Sequence, residues 1–187
     1  ASTEMQTAYT ECRHGNGGHG QRDLIFTEIL DVDGNMLEEG EYGEVTVTTL
    51  GVEGMPLLRY RTGDIACYHS SPCACGRHSR RLSPLMGRKR QMIKYKGTTL
   101  YPPAIFEVLN ELDTIREYVV EVSKDEIGGD VIKIYIDALP HDGEHLNNLL
   151  RSRLRVLPIL EFVEAGVIQQ MQFPATSRKQ IRFIDKR

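Results

Sequence analysis

The sequence contains no apolar run near the ~18 residues that a membrane-crossing helix needs, so no such helix is expected in its 187 residues. No secretory pattern opens it: "ASTEMQTAYTEC" is polar and has no initiating Met, which leads us to expect a fragment or processed product. Cysteine is scarce. Cys12, Cys67, Cys73 and Cys75 are the four present, too few to staple a chain of this length. Cys73 and Cys75 are one residue apart, a poor geometry for a mutual disulfide. A reducing compartment, the cytoplasm, is expected, with the thiols free or bound to metal. The net charge of −3 argues against a globally basic nucleic-acid binder. There is neither an internal repeat nor a low-complexity tract.

One local absence is informative. Between Ile65 and Phe106 there is no Asp or Glu, whereas Arg77, Arg80, Arg81, Arg88, Lys89, Arg90, Lys94 and Lys96 all fall there. A stretch of one sign makes either a solvated surface or a surface for phosphates, on a nucleotide, a cofactor or RNA.

What is present is enough for a core: 40% of residues are hydrophobic. "LIFTEIL" (24–30) reads as a strand, "DVDGN" as a hairpin turn, and the Val/Thr-rich "GEYGEVTVTTL" (40–50) as a second strand. "PLLRYRTGDIACYH" reads as strand, turn, strand, so residues 20–86 are expected to be antiparallel sheet. The pattern then changes. "YPPAIFEVLNEL" carries Ile105, Val108, Leu109 and Leu112 at helical spacing behind a Pro pair suited to a first turn. "EYVVEV" and "DVIKIYIDAL" are strand-like, Ile132, Ile134 and Ile136 alternating with polar neighbours. "GEHLNNLLRSRLRVL" places Leu146, Leu149, Leu150, Leu154 and Leu157 toward a core. "FPATSRKQIRFIDKR" reads as loop, then short strand. Helices on one face of a small antiparallel sheet make an α+β unit.

Four motifs carry chemistry, and their order carries more than any one alone. They are "STEM", "GEYGEVTVTTLGVEGMPLLRYRTGD", "GRKRQMIKYKG" and "PATSRKQIRFIDKR". In this order they resemble the C-terminal part of the phenylacetate–coenzyme A ligase family of adenylate-forming (AMP-binding) enzymes. The resemblance runs over essentially the whole chain. It implies an α+β fold in two parts. Residues 1–86 would be the antiparallel, β-rich end of a large adenylation domain, and residues 87–187 a small mobile α+β lid with its hinge near Arg90.

The resemblance also implies roles. The Thr3 hydroxyl would meet the α-phosphate and Glu4 would help hold Mg²⁺, a hard cation that prefers oxygen ligands. Asp64 would accept hydrogen bonds from the ribose hydroxyls, although Thr-Gly-Asp is also ordinary in a β-turn. Arg88 would lie near ribose and phosphate. Lys94, Lys96 and Gly97 would form a coenzyme A-side loop, the glycine allowing a narrow ligand arm to come close. Lys179 would neutralise charge between carboxylate and α-phosphate during adenylation. The chain departs from the family pattern in Arg90-Gln91 at the hinge and in Arg178, where a Gly is usual; the lysine loop is also one residue short.

The implied activity is ATP-dependent activation of an aryl or other carboxylic acid, then thioester formation with coenzyme A. The implied partners are the acid, ATP, coenzyme A and an upstream adenylation domain; a homodimer is compatible. An amine or carrier-protein acceptor, or a zinc-stabilised module that binds RNA without catalysis, are the alternative readings.

The thiols suggest a further site. Cys73 and Cys75 leave a metal half coordinated; Cys12 sits in "ECRHGNGGHG", and three Cys with one His complete a tetrahedral structural Zn²⁺ site. His19 is the first choice, with His14 and His78 as rivals. Cys67 reads as a strand residue and core thiol.

Overall fold

A computed structural model describes residues 2–139, 143–175 and 177–187. They fall into two compact units, Ala1–Arg90 and Gln91–Arg187.

The first unit is built from strands, as its Val/Thr-rich segments and frequent Gly demand. β1 (Thr10–Glu11), β2 (Gly18–His19), β6 (Tyr68–His69) and β7 (Arg81–Leu82) form one small antiparallel sheet in the order β1-β2-β7-β6. β3 (Ile25–Leu30), β4 (Gly43–Thr49), β5 (Tyr60–Ala66) and β8 (Gly87–Arg88) form a second, β3-β4-β5-β8. Ile25, Ile29, Val45, Val47, Ala66 and Leu82 make the core, with Tyr9 and Tyr68 packed against it.

The other side of β4 is polar yet buried. Glu44 receives Arg61 at 2.7 Å and Lys89 at 2.9 Å, and Glu28 receives Arg59 at 3.1 Å. Burial pushes the Glu44 carboxyl up, but Lys89 and Arg61 outweigh it and hold it below the ordinary glutamate value. The basic window is therefore not one solvated face: Lys89 is spent on Glu44, and Arg81 is buried.

The Arg-Thr-Gly-Asp segment is not the turn expected from its composition. β5 continues through it, but the register against β4 jumps from Glu44↔Ile65 to Thr46↔Arg61. The two extra residues form a bulge. The Thr62 hydroxyl closes it by donating to the Val45 carbonyl at 2.9 Å and accepting the Asp64 N–H at 3.1 Å. Gly63 takes φ +78°, a value that suits glycine.

The second unit holds the larger apolar core. β9 (Ile93–Tyr95) and β10 (Thr98–Leu100) make a hairpin, followed by α1 (Pro102–Asn110). β11 (Glu117–Lys124), β12 (Asp130–Asp137), α2 (Gly143–Leu154), β13 (Ile159–Phe162), α3 (Ala165–Gln172) and β14 (Phe183–Asp185) complete the unit. Ile105, Val108 and Leu109 of α1 and Leu146 and Leu150 of α2 pack with Val120, Val122, Ile132, Ile134 and Ile136 of the sheet. Each such side chain contributes about 1.5–3 kcal/mol when fully buried.

This sheet has the order β13-β12-β11-β14, and only its central pair is antiparallel; both edge strands run parallel to their neighbours. The expected antiparallel pair is β11–β12; β13 and α3 were not among the expected elements. α2 also stops earlier than its leucines suggest. It ends at Leu154, Arg155 takes φ +57°, and Leu157 is half exposed rather than in the core. Among the described residues, no helix is long and apolar enough to cross a membrane.

Candidate functional site

Three groups of side chains carry candidate chemistry: an acid–base pair on the second sheet, a thiol–imidazole cluster beside the first, and the cationic segments from Arg90 onward.

The bulge in β5 sets Asp64 opposite Arg88 of β8, with Arg88 Nε 3.2 Å from Asp64 Oδ1. The carboxylate is mostly buried while the guanidinium is mostly exposed. Asp64 and Thr62 face a cavity of about 330 Å³, which Ser2, Met5, Tyr9 and Leu82 also line. Thr3 and Glu4 sit exposed on the turn beside Ser2. A backbone N–H and the Ser2 hydroxyl hold the Glu4 carboxyl below its ordinary value, and the field of Arg88 adds to this. Glu4 is thus a ready anion, as a hard-cation ligand must be. Thr3, Glu4, Asp64 and Arg88 all belong to the first unit.

The thiols converge. The ligand atoms of Cys12, His19, Cys73 and Cys75 lie within 4.8 Å of one another. Cys12 Sγ is 3.5 Å from Cys73 Sγ, and Cys75 Sγ is 3.5 Å from His19 Nε2. A tetrahedron with Zn–S bonds of about 2.3 Å has edges of about 3.8 Å, so these separations suit one tetrahedral ion.

The local sequence explains the convergence. Cys12 and Cys73 each open a tight turn, closed by Gly15 N–H to the Cys12 carbonyl and Gly76 N–H to the Cys73 carbonyl. Backbone N–H groups two residues on, at His14, Cys75 and Arg77, point back at the three sulfurs. Those of His14 and Arg77 pull the Cys12 and Cys75 thiols down toward thiolate. At Cys73 the Cys75 N–H pulls down, but the Cys75 thiol, burial and Cys12 outweigh it and push the thiol up. A Cβ on Gly17 would stand 2.6 Å from the Leu82 carbonyl oxygen, so only glycine lets β2 lie this close to β7.

His14 and His78 are exposed and lie outside the cluster; His19 is buried on β2, its Nδ1 3.0 Å from Ser79 Oγ. That contact leaves Nε2 for the thiols, the outer-shell arrangement typical of a metal-binding imidazole. Cys67, buried between β5 and β6, is a core thiol.

Sequence reasoning did not single out Arg81. It is buried, pairs with His19 across β2 and β7, and reaches both ligand-bearing loops. Nη1 donates to the Asn16 carbonyl at 2.9 Å, and Nη2 to the Ser71 carbonyl and hydroxyl at 3.2 and 2.8 Å. One planar fork thus joins the Cys12–His19 loop to the loop before Cys73.

Arg90 lies in a 3-10 turn, Lys89–Gln91, and is the last residue of the first unit. Lys94 is on β9, and Lys96 and Gly97 form a two-residue hairpin turn with φ +44° and +84°. Positive φ at both central positions is the favoured hairpin geometry. Lys179 is exposed in the segment between α3 and β14, where Ser177 Oγ accepts its N–H and donates to its carbonyl. Thr176 in the same motif lies outside the described residues.

No family model matches the chain. Phenylacetate–coenzyme A ligase of Thermus thermophilus is 36% identical over 111 residues, which is 58% of this chain and 25% of the relative. The enzyme of the same name from Aromatoleum evansii is 32% identical over 126 residues, 66% of this chain and 28% of the relative. The chain therefore spans about a quarter of the length of the curated relatives it matches. Among solved structures, 2-hydroxyisobutyryl-CoA ligase in the postadenylation state superposes with a TM-score of 0.76 over 94% of this chain and 39% of that one, at 21% identity. That likeness is one of fold: this chain has the α+β architecture found in the C-terminal part of adenylate-forming ligases.

Proposed function

From the chain's kinship with the phenylacetate–coenzyme A ligase family, we propose that the whole protein is an ATP-dependent acyl–coenzyme A ligase, and that this chain supplies one wall of its nucleotide site and its mobile lid. The observation that supports the reading is the Asp64–Arg88 pair, with Arg88 near enough to Glu4 for its field to act on that carboxyl, in the motif order of the family.

The chemistry follows from the residues. Two oxygens of one fixed carboxylate suit two vicinal hydroxyls, so Asp64 orients the ribose. Arg88, on the neighbouring strand, is long and exposed enough to turn from Asp64 toward a phosphate. The Thr3 hydroxyl would donate to the α-phosphate, and ionised Glu4 would help hold Mg²⁺, which would supply charge neutralisation there. Lys179 faces the same centre during adenylation and offsets the charge that builds up as carboxylate oxygen attacks phosphorus. Pyrophosphate leaves. The second unit then turns about Arg90, so that the Lys94–Gly97 hairpin replaces Lys179 and the coenzyme A thiol attacks the acyl carbon, expelling AMP. Aryl acids are the proposed substrates.

Cys12, His19, Cys73 and Cys75 hold a structural Zn²⁺ in this reading. All four positions are filled by protein, so no open position is left for catalysis. Bound there, an ion would tie the loop before β2 to the loop before β7, next to the strands that frame the nucleotide cavity.

The reading is tested by supplying the whole protein with phenylacetate, Mg-ATP and hydroxylamine in place of coenzyme A. Acyl-hydroxamate and pyrophosphate are expected, and their absence across a panel of carboxylic acids overturns it. An acceptor screen with amines and carrier proteins then separates thioester from amide formation.

A further inference from the structure

The β9–β10 hairpin is a two-stranded sheet of its own. A pair this short is marginal in water and needs outside support. Apolar support comes from Ile93, Tyr95 and Leu100, all buried, and the Tyr95 hydroxyl donates to the Leu157 carbonyl at 2.7 Å. The polar support is more unusual. On either side of Ile93, two backbone groups are held by side chains instead of by another strand. The Lys94 N–H donates to Asp130 Oδ2 at 2.7 Å, and the Met92 carbonyl accepts from Arg187 Nη1 at 2.6 Å.

These two side chains are joined. Arg187 Nη1 is also 3.0 Å from Asp130 Oδ2, and Asp185 braces the guanidinium through contacts of 2.8 and 2.7 Å. Lys124 lies 2.7 Å from Asp130 Oδ1. The Asp130 side chain is only 1% exposed. A buried carboxylate with several charged partners is costly to form and stiff once formed. It fixes β9 to the start of β12 and to the segment after β14. Lys96, two residues beyond Lys94, holds the positive φ that aims the hairpin tip.

We propose that Asp130 and Arg187 are positioning residues for thioester formation, holding the Lys94–Gly97 tip at the angle needed to line the path of the coenzyme A arm. This rests on the acyl–coenzyme A ligase reading above. Adenylation, which uses Lys179 and not the hairpin, is not sensitive to the clamp. The pair acts through the backbone of β9 and touches no reacting atom.

The test uses the whole protein and two variants. Arg187→Met removes the fork. Arg187→Lys keeps the charge but cannot span Met92, Asp130 and Asp185 at once. Two rates are measured: acid-dependent pyrophosphate release, and thioester formation from supplied acyl-adenylate and coenzyme A. For Arg187→Met, thioester formation should fall by roughly tenfold to a hundredfold, the scale for a small misplacement of a binding element. The KM for coenzyme A should rise with it, while pyrophosphate release keeps its rate. Arg187→Lys should fall between the two.

Hydrogen exchange supplies a reading independent of activity: in Arg187→Lys, amides of residues 93–100 should exchange faster while those of β11 and β12 do not. Equal loss in both half-reactions, or unchanged exchange in the hairpin, overturns the proposal. A parent protein that makes no acyl-adenylate refutes the ligase reading instead, and the exchange comparison still judges the clamp.

Discussion

Asp64 and Arg88 face each other across β5 and β8, with Arg88 Nε 3.2 Å from the Asp64 carboxylate. An ion pair with one partner this exposed adds little stability on its own. Its value is positional: the acid is fixed by the bulge, and the base can leave it. Asp64→Ala in the whole protein should weaken nucleotide binding by roughly 1–3 kcal/mol, the scale for a lost hydrogen bond to a charged group. The fold should survive, because the bulge is closed by Thr62 and shaped by Gly63. Unchanged ATP affinity in a calorimetric titration contradicts the ribose role.

Metal analysis of the purified protein should give about one Zn per chain, the stoichiometry of one tetrahedral Cys₃His site. Arg81→Met should lower metal retention during a chelator challenge, since it frees the Asn16 and Ser71 loops from each other. Metal-free protein with Cys12, Cys73 and Cys75 open to a thiol reagent in the native state contradicts the site. Metal kept equally well by Arg81→Met contradicts the bracing role.

The thiol site was legible because its chemistry is carried by rare residues, and three Cys near one His stand out in a Cys-poor chain. Arg81 was not legible, because a buried arginine looks like its solvated neighbours in a basic run. β5 was misread at Gly63, where composition says turn but pairing with β4 and β8 carries the strand through as a bulge. α3 was hidden by its own burial pattern. Ile168 and Gln172 both face inward, and the Gln172 amide is satisfied by Glu117 and the Tyr118 carbonyl. A polar residue on the buried face erases the apolar period that marks a helix. The edge strands β13 and β14 are short, and their parallel pairing depends on α2 and α3 bringing the chain back, which no local pattern encodes.

Acid should loosen the second unit through Asp130. Burial raises that carboxyl, but Lys124, the Lys94 N–H and Arg187 outweigh it and hold it below the ordinary aspartate value. A depressed carboxylate stabilises the fold fully above its unfolded value of about 3.9 and loses that contribution as pH falls through the lower folded value. The melting temperature should therefore drop steeply below about pH 4, and Asp130→Asn should melt lower at neutral pH with a flatter acid limb. Parallel acid limbs for parent and variant contradict this.

Lys179→Ala should separate the half-reactions in the direction opposite to Arg187→Met. Acyl-adenylate formation should slow by orders of magnitude, since a placed charge stabiliser is worth about 2.7–4 kcal/mol. Thioester formation from supplied acyl-adenylate should keep its rate. Equal losses point to a fold or hinge defect, and no loss moves the role to neighbouring Arg178.

The whole protein, phenylacetate or another carboxylic acid, Mg-ATP and coenzyme A should yield AMP, pyrophosphate and acyl–coenzyme A in equal amounts, each dependent on the acid. ADP with phosphate, or AMP without any thioester, would contradict it.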